Sequence, residues 1–523
     1  MATIPKISDI PEEQRTEVVV MLLEIISQQQ EIIQQLKDEI ARFKGQKPKP
    51  DIRPSKLEQG QENKQKEDRS KKRPGSIKRS KTKGLQIHET KQISPDTIPF
   101  GSRFKGYQDY VVQDIDISCH NIRYRLECWR TPEGKHIAGK LPEEVDGHFG
   151  STLVSYILYQ YHHAHVTQPL ILEQLEEFGV DISAGQINRI ITEGKERFHT
   201  EKEDILKAGL EASGYIHVDD TGARHEGRNG YCTHIGNELF AWFQSAESKS
   251  RINFLELLRA GHTDYSINAD ALDYMEAQRF PGIQLSKFTA LCDTNFESLP
   301  KWKENLQSLH ITDERHIRIA TEGALLGSVL DHGFNRRLVI VSDDAGQFDV
   351  LLHALCWVHA ERIIHRLVGF SDRQKEALEE IRGRIWELYA EMKDYKKFPG
   401  EGKKALIEEK FDEICKSKTC FISLNNALKR LHKNKSELLM VLERPDIPLH
   451  NNLSENDIRE YVKKRKISGS TRSDPGRRCR DTFTSLKKTC RKLGISFWKY
   501  LTDRITGQNA IPLLPDLVRL RAL

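Results

Sequence analysis

The chain lacks the features of secreted and membrane proteins. Its nine cysteines have irregular spacings, and no signal peptide is recognisable, so we predict free thiols in a reducing cytoplasm rather than a disulfide framework. The longest N-terminal apolar run, residues 18–23, is far too short to cross a bilayer. Net positive charge is also low, at +5 for 523 residues. Any nucleic-acid signal must therefore come from the distribution of charge.

Two apolar stretches end in paired acids. The first, YIHVDDTGAR, is typical of a buried strand that stops at Asp219 and Asp220, although Asp-Thr-Gly is also ordinary turn chemistry. The second, RRLVIVSDDAGQF, repeats this pattern with Asp343 and Asp344. Both strands are predicted to be buried on both faces, so neither has a polar side that would show which acid of each pair faces a site.

A third stretch supplies another acid on a helix. In LHNNLSENDIREYVKKRK, Ser454 or Asn452 is predicted to cap a helix that carries Glu455. Three carboxylates are the ligand set for two Mg²⁺ or Mn²⁺ ions, which prefer oxygen ligands and catalyse displacement at phosphorus.

These stretches together resemble the catalytic blocks of the insertion sequence 66 (IS66) transposase family. The resemblance is carried by HVDDTGAR, by VSDDAGQF with LCWVHAERIIHRL, and by HNNLSENDIREYVKKRKISGSTRSDPGRR. It implies an α/β chain with an RNase-H-like core and a catalytic, metal-binding triad of Asp219, Asp343 and Glu455. Asp270, in INADALDY, competes for the second position, but its surroundings resemble a strand end less.

The N-terminal segment has a heptad pattern. The two core positions are occupied by Val19, Ile26, Ile33 and Ile40 and by Leu22, Gln29, Leu36 and Phe43. This pattern predicts a parallel coiled coil over residues 1–44, and hence a homodimer or higher oligomer. The alternative is an amphipathic helix that packs on its own protein.

A polar linker follows at residues 45–98, and its composition predicts disorder. Residues 69–83, RSKKRPGSIKRSKTK, contain no acid and could bind DNA phosphates or be no more than a solvated charge run.

Residues 99–150 hold Cys119, His120 and Cys128 but lack the paired ligands of a structural zinc site. Members of the resembled family often have a small zinc module in this region. We therefore expect a degenerate, zinc-free β region, with a β segment over residues 110–129.

Residues 151–210 are predicted to be helical. Two helical patterns joined near residues 179–182, with Ser183 as an N-cap, are typical of a helix-turn-helix (HTH) or of an ordinary helical hairpin. In the first case Arg189 would contact DNA.

The predicted catalytic core spans residues 211–369, with an insertion at 246–335, and resumes at 449–523. Residues 370–448 are predicted to form a helical insertion. Within the core, Cys356 and His359 of LCWVHAERIIHRL are expected to share a helix face and, with Asn452, to support the active site.

A basic cluster follows Glu455 and is predicted to bind the DNA backbone. Its members are Arg459, Lys463, Lys464, Arg465, Lys466 and Arg472. An intrahelical ion pair between Glu455 and Arg459 is the simpler interpretation of that one spacing.

The prediction for the whole chain is a DNA transposase that uses two Mg²⁺ or Mn²⁺ ions to cleave and join double-stranded DNA at element ends and target. The alternatives are a metal-dependent nuclease of the same fold and a catalytically inactive, repressor-like DNA-binding dimer.

Overall fold

The computed structural model describes residues 86–142, 145 and 147–522, together with residues 19, 22, 25, 26 and 29. Two compact units divide the chain, at residues 1–118 and 119–523. The five separate N-terminal positions are helical and include four of the eight heptad residues. The other four, and the basic tract 69–83, lie outside the described residues. Dimerisation through the heptads and DNA binding by the basic linker therefore stay predictions.

The β segment predicted for residues 110–129 is wrong for most of its length. Residues 110–127 carry no strand, and a short hairpin follows, with β1 (Cys128–Arg130) antiparallel to β2 (His136–Ala138). The apolar residues of the predicted segment, such as Tyr110 and Ile115, are exposed. No strand among the described residues pairs with them, and stable β-structure requires such a partner.

Four helices precede the main sheet. They are α1 (Ser151–His162), α2 (Gln168–Glu177), α3 (Ala184–Thr192) and α4 (Glu196–Ala212). The first three pack around a small isoleucine-rich core. Ser183 caps α3 as predicted, because its hydroxyl accepts the amide of Gln186 at 3.2 Å.

A five-stranded mixed sheet forms the centre of the second unit. Its first three strands are β3 (Tyr215–His225), β4 (Arg228–Gly236) and β5 (Ala241–Ala246). An insertion then contributes α5 (Arg251–Leu258), β6 (Tyr265–Ile267), α6 (Ala269–Ala277), α7 (Gly282–Thr289), β7 (Thr294–Phe296), α8 (Leu299–Ser308) and α9 (Glu314–Asp331). The sheet is completed by β8 (Val339–Ser342) and β9 (Leu352–Leu355).

The strand order in this sheet is β5-β4-β3-β8-β9. Strand β4 runs antiparallel to both its neighbours, whereas β3, β8 and β9 are mutually parallel. The prediction that the first strand stops at its acids is wrong, because β3 continues to His225. The hairpin with β4 pairs β3 over its whole length from His217, while β8 pairs only with Tyr215–His217. The acids therefore lie where the parallel neighbour ends.

Helices complete the unit on both faces of the sheet. Helix α10 (Trp357–His365) follows the sheet. The helical insertion then comprises α11 (Asp372–Tyr395), α12 (Glu401–Lys416), α13 (Ile422–Lys433), α14 (Lys435–Leu438) and α15 (Met440–Glu443). The remaining helices are α16 (Asn452–Ser468), α17 (Asp474–Lys492), α18 (Phe497–Thr506) and α19 (Leu514–Ala522). Alternate residues of β8 separate the two cores, since Ile340 belongs to one cluster and Val339 and Val341 to the other.

Side chains of α17 pair with the outer edge of β5. Thr489, Ser485 and Asp481 accept the amides of Ala241, Phe243 and Ser245 at 3.1, 2.9 and 2.8 Å. Four residues of helix advance about 6 Å and two residues of strand about 6.8 Å. The two repeats therefore stay in step over three contacts.

Candidate active site

Strand register brings Asp219 and Asp343 to the same side of the sheet. His217 lies beside Val341 in the parallel pair of β3 and β8, so two residues further along each chain Asp219 reaches the level of Asp343. Successive residues of a strand point to opposite faces. The odd-numbered acid of each pair therefore shares a face with Val341, and Asp220 and Asp344 do not.

The even-numbered acids have other partners. Asp220 accepts hydrogen bonds from the Thr233 hydroxyl at 2.5 Å and from the Gln347 amide at 2.9 Å. Asp344 forms a two-pronged ion pair with the Arg430 guanidinium, whose Nε lies 2.9 Å away. These contacts satisfy both carboxylates within the protein. The geometry therefore favours Asp219 and Asp343 as the candidate metal ligands, a choice within each pair that the sequence left open.

Helix α16 lies over that face and brings Glu455 with it. Buried Asn451, immediately before the helix, accepts a bond at Oδ1 from His217 Nδ1 at 2.8 Å and donates Nδ2–H to the Val218 carbonyl at 2.8 Å. One turn later Ser454 Oγ lies 2.6 Å from His234 Nδ1. This pairing of polar side chains with strand histidines sets the position of Glu455, and no local sequence pattern indicates it.

The predicted caps of α16 are wrong. Neither Asn452 nor Ser454 precedes the helix; Asn451 does, and its side chain makes no cap hydrogen bond. Asn452 is exposed, and its supporting role stays a prediction. The sequence signal for Asn451 is weak, because nothing local distinguishes it from the adjacent Asn452. Only the contacts with the sheet do so.

Replacement of Asn451 by leucine should lower the free energy of unfolding by about 2–3 kcal/mol. The change keeps the volume but leaves the Val218 carbonyl and His217 without their buried partner. The same change at Asn452 should alter stability by no more than about 0.5 kcal/mol. Urea denaturation of the two variants measures the difference, and equal values would contradict a supporting role for Asn451.

The three acids interact electrostatically. Burial is the largest cause that raises the pKa of Asp219 to about 7, and the charges of Asp343, Asp220 and Glu455 raise it further against the lowering effect of the Asp220 amide. Asp343 Oδ1 and Glu455 Oε1 are buried and accept no hydrogen bond, although His359 Nε2 and Arg362 Nη1 lie 3.4 and 3.7 Å from Glu455 Oε1. Buried carboxylate oxygens without donors are costly. A divalent cation would satisfy them, and hard oxygen ligands suit Mg²⁺ or Mn²⁺.

Two tighter groups of ligand atoms lie elsewhere in the described ranges. In each of them, three atoms lie within 4.8 Å of one another, and the acids above do not form such a group; the two groups are His262, Asp264 and His332, and Asp349, His353 and Glu437. In the first group, the rings of His262 and His332 are nearly parallel, with their centroids 3.5 Å apart. One ion therefore cannot lie in the planes of both rings. In the second, both nitrogens of His353 already have partners, Glu437 and Ser342.

The Cys-x-x-His element joins α10 to this site. Cys356 is the N-cap residue of α10, and its sulfur accepts a hydrogen bond from the backbone N–H of Asn451 at 3.1 Å. His359, in the first turn, has Nε2 3.4 Å from Glu455 Oε1. Burial lowers the pKa of His359, and the nearby Arg362 lowers it further. Cys356 thus supports the packing of the two helix starts, whereas His359 contacts the third acid directly.

Asp270 lies apart from this group. It belongs to the first turn of α6 and forms a two-pronged ion pair with Arg336, with Nη1 2.7 Å from Oδ1. That pair lowers the pKa of Asp270. The structure therefore gives Asp270 a salt-bridge role at the surface and leaves Asp343 beside Asp219.

Most of the predicted basic residues are exposed. Those at the surface are Arg189, Arg459, Lys463, Lys466 and Arg472. Arg459 Nη2 also lies 3.9 Å from Glu455 Oε2, one helical turn away. This is the simple intrahelical pair that the spacing allowed, and in solvent it contributes only a few tenths of a kcal/mol.

Two members of the basic cluster have structural contacts instead. Lys464 is buried, donates to the Tyr161 carbonyl at 2.6 Å and lies over the Tyr161 ring. Burial lowers its pKa to about 7, so the prediction that Lys464 presents charge to DNA is wrong. Arg465 donates to the Gly222 carbonyl and to the Thr221 hydroxyl, which joins α16 to β3 just beyond the acids.

None of the helices that the structure describes is long and apolar enough to traverse a lipid bilayer.

Comparison with known proteins gives two findings. The family model for the IS66 family of transposases matches residues 146–259 and 330–478, about half of the chain. The uncharacterized protein y4jO of Sinorhizobium fredii (strain NBRC 101917 / NGR234) is 45% identical over 313 residues, which are 59% of this chain and 98% of that protein. The first matched range contains Asp219, and the second contains Asp343 and Glu455. The chain belongs to the IS66 transposase family.

Proposed function

We propose that the protein is a DNA transposase in which Asp219, Asp343 and Glu455 form the catalytic triad of an RNase-H-like core. The observation that carries this proposal is the convergence of the acids. Asp343 and Glu455 each have a buried oxygen without a hydrogen-bond donor, and both acids raise the pKa of Asp219. The antiparallel meander followed by two parallel strands agrees with such a core.

The three carboxylates would hold two Mg²⁺ or Mn²⁺ ions. Bound ions supply an activated attacking oxygen and neutralise charge at the phosphorus during cleavage and strand transfer. The protein itself fixes the carboxylates. Asp219 accepts the Asp220 amide at 2.7 Å, and His359 and Arg362 lie 3.4 and 3.7 Å from Glu455, which limits its movement.

The exposed cations on and after α16 would hold the DNA backbone. Lys463 and Lys466 lie two and three turns beyond Glu455 on the same helix, and Arg472 follows in the next loop. Contacts of this kind give salt-sensitive affinity without sequence preference. Sequence would be read elsewhere, and we assign that role to α2 and α3 as an HTH, with Arg189 exposed on its second helix.

The test is an assay that detects joined DNA. Full-length protein, Mg²⁺ and a labelled fragment that carries the ends of the element should yield both nicked fragments and products joined to a target plasmid. Cleaved ends without joined products would indicate the nuclease instead. DNA binding without any metal-dependent cut would indicate the repressor-like dimer, and either result would overturn the proposal.

A further inference from the structure

We propose that the helical insertion positions the second acid of the site, through Arg430, Asn434 and Glu437. This inference rests on the proposed function, because it concerns how Asp343 is held. The sequence predicts a helical insertion at residues 370–448 but not what its helices contact. Its contacts with the end of β8 give it a different role.

The first contact is with Asp344, which follows the acid in question. Arg430, near the end of α13, donates from Nε at 2.9 Å and from Nη2 to the same carboxylate oxygen. Asn434 donates Nδ2–H to the other oxygen at 3.3 Å. Both oxygens of Asp344 are therefore held by the insertion, and the peptide that joins it to Asp343 has little freedom to rotate.

The second contact is a chain of hydrogen bonds that ends on Asp343 itself. Glu437 Oε1 lies 2.6 Å from His353 Nδ1, and His353 Nε2 lies 2.7 Å from Ser342 Oγ. The Ser342 hydroxyl donates to the Asp343 carbonyl at 2.5 Å. Both inner members, Ser342 and His353, are buried.

The three residues of the insertion share one side of the chain. Their spacings of four and three residues are those of one helix face, across the end of α13 and the start of α14. Arg430 and Asn434 therefore contact the Asp344 side chain. Glu437 reaches the Asp343 backbone carbonyl through His353 and Ser342. Partners that orient a metal ligand typically contribute 10-fold to 100-fold in metal affinity or activity.

The test is Mn²⁺ binding to the full-length protein, with the paramagnetic signal of free Mn²⁺ as the readout. Arg430→Met and Glu437→Gln should each raise the dissociation constant by about 10-fold or more, with unfolding temperatures close to that of the wild type. The matched control is Lys410→Met, which breaks another pair of the insertion, 2.6 Å from Glu391, and should leave Mn²⁺ binding unchanged.

The two substitutions separate positioning from simple electrostatics. Arg430→Met removes a positive charge and Glu437→Gln a negative one, so a pure charge effect would tighten Mn²⁺ binding in the first and weaken it in the second. Positioning predicts weaker binding in both. Opposite shifts, or values equal to that of Lys410→Met, would overturn this inference alone. Absence of Mn²⁺ binding by the wild type would overturn the proposed function and this inference with it.

Discussion

Glu455→Gln is expected to reduce the rate of Mg²⁺-dependent DNA cleavage by about a thousandfold or more, which is about 4 kcal/mol of transition-state stabilisation. The substitution keeps size and hydrogen-bonding capacity but removes the negative charge that acts on Asp219. An amide is a poor ligand for Mg²⁺ compared with a carboxylate. The measurement is single-turnover cleavage of labelled end DNA, with DNA affinity measured in parallel.

A matched control separates this effect from a general loss of acidic charge. Asp270→Asn removes an acid that the sequence also offered, but Asp270 pairs with Arg336 away from the site. We expect its cleavage rate to stay within about twofold of the wild type, because exposed ion pairs contribute little. Equal losses in Asp270→Asn and Glu455→Gln, or full activity of Glu455→Gln, would remove Glu455 from the catalytic triad.

Asp219→Asn is expected to stabilise the metal-free protein at pH 8 by about 2–3 kcal/mol. The pKa of Asp219 is raised from 3.8 to about 7, so the folded protein prefers the protonated acid. A shift of this size corresponds to about 4 kcal/mol, which we reduce because the side chain keeps some solvent contact. The stability from this group is complete below about pH 4 and is lost as the pH rises through 7. Asparagine, which does not ionise, avoids that loss.

The measurement is the unfolding free energy in EDTA between pH 4 and pH 8. The wild type should lose stability over this range relative to Asp219→Asn, and Mg²⁺ should restore stability to the wild type alone. Asp457→Asn is the control of opposite sign. Burial opposes the shift, but His234 Nε2, which lies 3.2 Å away, and the charges of Lys492 and Lys488 hold the pKa of Asp457 low, so its loss should destabilise the protein at pH 8. Identical pH profiles for wild type and Asp219→Asn would show that Asp219 is not crowded by negative charge.

The sequence predicted the elements that depend on local patterns. The Ser183 cap follows from a single hydroxyl, and the structure has it. The family follows from motif order. These signals are short-range, so they do not need the neighbouring strand or helix to be known.

Features that depend on contacts between residues distant in the sequence could not be predicted from the sequence. The choice between Asp219 and Asp220 is made by register with β8, and the even-numbered acids are satisfied by side chains as distant in sequence as Arg430. Lys464 looks like its exposed neighbours until Tyr161 of α1 covers it. A residue's environment is set by long-range packing, and one sequence does not contain that information in a local form.

The row of α17 side chains along β5 has a consequence for assembly. An unprotected outer strand invites another chain to extend the sheet, which leads to swapped dimers and fibres. Here three outward-facing backbone amides of β5 already donate to side chains of α17. A second copy of the chain therefore cannot associate by continuing the sheet past β5.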